Sequence, residues 1–207
     1  MTIDEIVAAY IQDCRGAARS EMRFFEIQRC MTGAIHHAAL CVLPSGKRHP
    51  HQRRLRQVVL NEAERSLQEM ADALGRAPDF FRLHRLMQEQ IGMITGMGEL
   101  TVYDIAHRIG AFLGKPPTLV YLHAGTAIGA RALGFRGDTV DPSQLPPAFS
   151  RLSAAEIEDC LCIYKAELRG EGIRTERLRR SNACADTKPC MAQGGSSGIL
   201  GKICYQE

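Results

Sequence analysis

Ile94-Thr95-Gly96-Met97-Gly98-Glu99-Leu100 lies between two helical patterns, and the reading of the fold turns on this stretch. Upstream, Phe81, Leu83, Leu86, Met87 and Ile91 supply apolar contacts for a helix over 79–92. Downstream, Val102, Ile105, Ala106 and Ile109 recur at helical spacing over 101–113, and Gly114 with Pro116-Pro117 stops that helix. Two glycines one residue apart permit a tight turn and a close approach of backbone. Ile94 and Met97 are placed to pack the two helices together. A helix starting at Thr101 opens with N–H groups that have no partner inside the helix, which suits a phosphate oxygen.

The same helical reading extends outward on both sides. Thr2-Ile3-Asp4-Glu5 is a capping box, and Ile3, Ile6, Val7, Tyr10, Ile11 and Cys14 follow as one apolar face. A second helix is predicted over 21–41. Pro44-Ser45-Gly46 breaks the chain, and a long helix is predicted over 52–74 with Gly75 at its end. Pro117 suits the first turn of a short helix through Val120 and Leu122. Another short helix is predicted over 126–133, then a loop over 134–147. Ser153-Ala154-Ala155-Glu156 is a second capping box, followed by the stripe Ile157, Leu161, Tyr164 and Leu168. No stretch reads convincingly as a sheet. The predicted fold class is all-α: a compact multi-helix domain over 1–180, with a flexible or peripherally docked tail over 181–207.

Bulk composition bounds the function. The chain has 207 residues, 45% hydrophobic and 24% charged, enough for one domain with a real core. No apolar run approaches the roughly 20 residues of a membrane span, and the acidic N-terminus lacks the form of a signal peptide. The expected location is cytoplasmic, with no membrane partner. The eight cysteines are then expected as thiols, chiefly in packed structure. The net charge of +3 is modest, but its distribution is uneven. Lys47, Arg48, Arg53, Arg54 and Arg56 form one basic group, and Arg169, Arg174, Arg177, Arg179 and Arg180 form another.

The order helix, Ile94-Thr95-Gly96-Met97-Gly98, helix resembles the helix-hairpin-helix motif of DNA glycosylases, repair nucleases and polymerases, written apolar-x-Gly-apolar-Gly. The resemblance covers 81–113. It implies that Gly96, Met97 and Gly98 hold a nucleic-acid phosphate, with Thr101 at the start of the second helix. It does not extend to glycosylase chemistry. The bifunctional members carry a lysine where this chain has Leu100, and a catalytic aspartate where it has Pro117-Thr118-Leu119. The four-cysteine cluster of the iron–sulfur members is also missing.

Other residues are candidates for chemistry. Tyr103, Asp104, His107 and Arg108 follow the hairpin on one helix, with Asp104 and Arg108 spaced for an ion pair and Asp104 and His107 spaced for an oriented imidazole. His123 stands beside Ala124-Gly125-Thr126, a small-residue surface that serves either a pocket or close helix packing. Tyr103, Asp104, His107 and His123 are the candidate catalytic residues. His49 and His51 sit in the basic loop, but no cysteine or histidine spacing completes a zinc pattern. No metal and no cofactor are therefore expected, and His49 and His51 read as anion contacts.

The primary expectation is a nucleic-acid-binding module, with DNA as the partner. Its contacts are Gly96, Met97, Gly98, Thr101, Lys47, Arg48, His49, His51, Arg53 and Arg54. An enzyme with a His/Asp/Tyr pocket and a helical interaction or scaffold protein are the alternatives. Oligomeric state is open in the sequence.

Overall fold

Thr2 opens the fold as expected. Its hydroxyl accepts the Glu5 N–H while Glu5 accepts the Thr2 N–H, closing the capping box at the start of α1 (Ile3–Asp13). The computed structural model describes residues 1–43 and 45–170. The predicted tail at 181–207, and every basic residue of the second cluster except Arg169, lie outside the described residues.

The long N-terminal segment is two helices, α2 (Arg15–Glu26) and α3 (Met31–Ala39), rather than one over 21–41. The predicted long helix is also divided. A single 3-10 turn spans Pro50–Gln52, and α4 (Gln57–Glu69) begins only after four more residues. Met70 ends α4 and opens the short α5 (Ala71–Gly75). Arg53, Arg54, Leu55 and Arg56 between them are non-helical, so the basic group lies on a loop.

The central pair is α6 (Phe80–Ile91) and α7 (Glu99–Phe112). Asp79 caps α6 through its side chain, whereas no side chain caps α7. Gly96 adopts φ +97°, a left-handed conformation suited to glycine, and this lets the chain reverse between the two helices.

The short helix expected through Val120 and Leu122 does not form. Val120–Tyr121 is strand β1, paired antiparallel with β2 (Thr139–Val140), with Val120 opposite Val140. Alternation on this strand explains the outcome. Val120 enters one apolar cluster and Tyr121 the other, a division that a helical turn does not make. The first cluster packs α2 through α7 around Phe25, Leu67, Leu83, Met87 and Ile109. The second packs α1 against α8 (Ala124–Ala132), α9 (Ala154–Ile163) and two 3-10 turns around Tyr10, Phe149, Ile157 and Leu161.

α8 and α9 lie unusually close. A Cβ on Gly129 would sit 2.2 Å from the Leu161 carbonyl oxygen, and one on Gly125 would sit 2.5 Å from Cys162 Sγ. These two glycines serve helix packing. The second capping box, Ser153 with Glu156, starts α9, and α10 (Lys165–Leu168) closes the described chain. The fold is predominantly helical, with one two-stranded sheet among the described residues. No helix there is long and apolar enough to cross a membrane.

Candidate functional site

α7 carries the site because two of its faces are polar and face inward. Asp104 and Arg108 are one turn apart, yet they do not pair as the spacing predicts. Arg108 turns toward α2, where Nη2 lies 3.6 Å from Glu21 Oε1 and the guanidinium stacks 5.5 Å from the Phe25 ring centroid. Asp104 turns toward the basic loop. Gln52 Nε2 donates to Asp104 Oδ2, and His51 Nδ1 lies 3.9 Å from the same oxygen. The expected Asp104–His107 contact is replaced too: the His107 ring sits 5.8 Å from Tyr103 and 6.5 Å from Phe80. Helical spacing permits each intrahelical pair, but the groups supplied by α2 and the loop satisfy these charges instead.

The basic loop is held in place by its own chemistry. Val42 and Arg48 form an isolated bridge, and the His49 N–H donates to the Cys41 carbonyl at 2.8 Å. Cys41 adopts φ +56°, unusual for a residue with a side chain, and so turns the chain out of α3 into the loop. Arg48 Nη1 donates to the Leu55 carbonyl at 2.7 Å, and Nη2 donates to Gln57. Arg48, half-buried, therefore closes the loop through both terminal guanidinium nitrogens. Lys47, Arg53, Arg54 and Arg56 are exposed.

The 3-10 turn brings His49 and His51 together, with ring centroids 4.7 Å apart. His49 Nδ1 accepts the His51 N–H at 3.3 Å, and His49 Nε2 lies 3.7 Å from Glu21 Oε2. One ligand-type atom from each of His49, His51 and Asp104 falls within 4.8 Å of the others. Burial, aided by Arg108, pushes His49 down to about 4, so its imidazole is neutral near pH 7. Burial pushes the Glu21 carboxyl up, opposed by Arg108. Burial also raises the Cys41 thiol, opposed by Arg108.

A second polar group lies on the other face of α7. The Tyr103 ring is 4.6 Å from the His123 ring, and Tyr121 and His84 are 4.8 Å apart beside them. His123 Nδ1 lies 3.8 Å from Glu158 Oε1, and the Thr126 hydroxyl donates to Glu158. Tyr103 Oη and both His123 ring nitrogens are buried without a hydrogen-bond partner among the described residues. Ala124, directly after His123, adopts φ +44°. Burial pushes His84 and His107 down to about 4, lowers His123, and raises Glu158 well above the usual carboxylate range. Beyond His107, a cleft of about 630 Å³ opens between α2, α7 and α9, lined in part by Arg23, Glu156 and Asp159. Burial raises the Asp159 carboxyl to about 7.

The hairpin lies against α4, the helix that follows the basic loop. Gly96 packs over the first turn of α4, where an added Cβ would lie 3.5 Å from Val59 Cγ2. Thr95, Gly96 and Gly98 are exposed. Met97 is 8% exposed, a core anchor whose N–H closes the turn on the Ile94 carbonyl at 2.9 Å. Thr101 is 7% exposed and its N–H bonds the Gly98 carbonyl. Met97 and Thr101 thus build the turn and are removed from its outer surface. The amides of Glu99 and Leu100, in the uncapped first turn of α7, take no backbone acceptor among the described residues.

The structure brings all four candidate catalytic residues to or beside α7, divided between two groups. It adds Glu21, Gln52, Glu158 and Asp159, which sequence reasoning passed over. A signal for two of them was present. Glu21 is one turn before the buried Phe25, and Glu158 is on the stripe of Ala154 and Leu161, so each is a charge within an apolar face. No known protein family, curated protein or solved structure matches the chain.

Proposed function

We propose that the chain is a nucleic-acid-binding domain that holds the phosphate backbone at the α6–α7 hairpin and the adjoining basic loop. The observation that carries this reading is the seating of Gly96 on α4 at Val59, one turn from Arg56. The exposed turn and the exposed guanidinium groups thereby share one side of the molecule. The free amides at Glu99 and Leu100 add the partial positive charge of a helix start. Exposed arginines beside such amides form a phosphate surface that reads shape and charge rather than bases.

The test is fluorescence anisotropy with a labelled duplex over a salt series, using the wild type and Gly98→Asp. Gly98 has φ −94° and open space where a Cβ would stand, so the side chain fits. Aspartate is also a favoured helix N-cap, so stability is kept or improved. The introduced carboxylate faces the phosphate site, and affinity is expected to fall about tenfold, or ~1.4 kcal/mol. Absence of salt-sensitive binding, or unchanged binding by Gly98→Asp, overturns the reading.

A further inference from the structure

We propose that His49, His51 and Asp104 form a binding site for a divalent transition-metal ion of the zinc class. This site is independent of phosphate binding by the hairpin. The three side chains come from two segments that only the fold brings together: a 3-10 turn and the middle of α7. Two imidazoles and one carboxylate, with the remaining positions open, are a donor set that suits zinc, iron(II) or cobalt(II).

The geometry comes close to what a metal requires. Tetrahedral metal–ligand bonds of about 2.0–2.2 Å place two ligand atoms about 3.3–3.6 Å apart. The triad's atoms, within 4.8 Å of one another, therefore close by up to about 1.5 Å on binding. His51 has the freedom to do this, because its side chain is 52% exposed. Ligation through His49 Nε2 needs the tautomer with its proton on Nδ1, so the 3.3 Å bond from the His51 N–H to Nδ1 is given up when the ion binds.

The surroundings point to a ligand. Gln52 is fully buried, its amide nitrogen orients Asp104, and its Oε1 has no hydrogen-bond partner among the described residues. A buried amide that fixes a carboxylate is the support that metal ligands commonly have. Its remaining oxygen suits a water on the metal. Glu21 lies 3.7 Å from His49 Nε2 and 3.6 Å from Arg108, outside the mutual set. Two carboxyls, Asp104 and Glu21, stand beside the one guanidinium of Arg108 around this group.

The 207-residue chain is stripped with chelator and titrated with Zn²⁺ by calorimetry and with Co²⁺ by visible absorption. The expected result is one ion bound with a visible Co²⁺ band and no thiolate charge-transfer band, which separates this site from any cysteine site. His51→Ala and Asp104→Asn are each expected to weaken binding at least tenfold, with circular dichroism confirming the fold. In the wild type, Co²⁺ is expected to shift the ring protons of His49 and His51 and to leave the exposed His36 in place. Absence of binding, a thiolate band with unchanged affinity in His51→Ala, or no shift at His49 and His51 overturns the proposal.

Discussion

Arg108 is 3% exposed, so its charge lies almost wholly inside the protein. Glu21 and the Phe25 ring are what make that position tenable. Truncating one member of such a pair leaves the other charge without its partner, and this costs more than the pair itself contributes. Arg108→Ala is expected to destabilise the fold by about 3 kcal/mol in urea unfolding, toward the lower end for such pairs because Glu21 keeps some solvent. The double variant Glu21→Gln with Arg108→Met is expected to recover most of that loss. Asp159 allows a pH test. Its carboxyl titrates at about 7 in the fold against an ordinary 3.8, so between these limits the folded protein holds a proton that the unfolded chain has released. Stability from this group therefore falls as pH rises from 4 to 7, at up to about 1.4 kcal/mol per unit. His49, His84 and His107 act oppositely: held near 4 against 6.5, they lower stability as pH falls through that window. Asp159→Asn keeps an acceptor for the Tyr10 hydroxyl, 3.2 Å away. Its stability relative to wild type, followed by thermal melts, is expected to rise between pH 4 and 7 and to level off above.

At the scale of the element, the α8–α9 contact is the most constrained packing in the molecule. Gly129 leaves no room for a methyl group, because a rigid backbone carbonyl stands 2.2 Å from the Cβ position. Gly129→Ala is expected to push α8 away from α9 and to cost about 1–3 kcal/mol, measured by thermal or chemical unfolding. The same displacement draws Thr126 from Glu158, since both bridge this contact. Gly16→Ala provides the control: no neighbouring atom lies within 4 Å of its added Cβ, so it leaves stability unchanged or slightly raised. Much of this scale was legible in the sequence. Thr2 and Ser153 each start a helix where their capping boxes place it, because capping is a local hydrogen-bond exchange over four residues. The break between α2 and α3 was not legible, nor was the non-helical 53–56 stretch. Gln28 and Arg29 in the first region, and the arginines and Leu55 in the second, have good helical propensity; at 53–56 the Arg48 bond to the Leu55 carbonyl holds the loop instead.

At the scale of the molecule, the proposed phosphate surface and the proposed metal triad share the basic loop but use different residues. His49 and His51 turn toward α2 and α7, while Arg53 and Arg54 are exposed. Arg53→Ala with Arg54→Ala is expected to weaken duplex binding and to reduce its salt slope by about two, one for each arginine withdrawn from a phosphate. Zn²⁺ affinity is expected to stay unchanged in that variant, which separates the two surfaces experimentally.

The sequence alone determined the helical class, the two capped helix starts, the tight turn after Thr95 and the apolar faces that pack. These depend on neighbours within a turn or two of the chain, so their physics is local. Tertiary structure alone decided that Asp104 serves His51 and Gln52 rather than Arg108 and His107, that Val120–Tyr121 is a strand, and that the Glu21 and Glu158 carboxyls meet Arg108 and His123. Helical spacing offers a charged side chain partners one turn away. Which partner it takes depends on what another element places nearer in a medium that screens charge poorly.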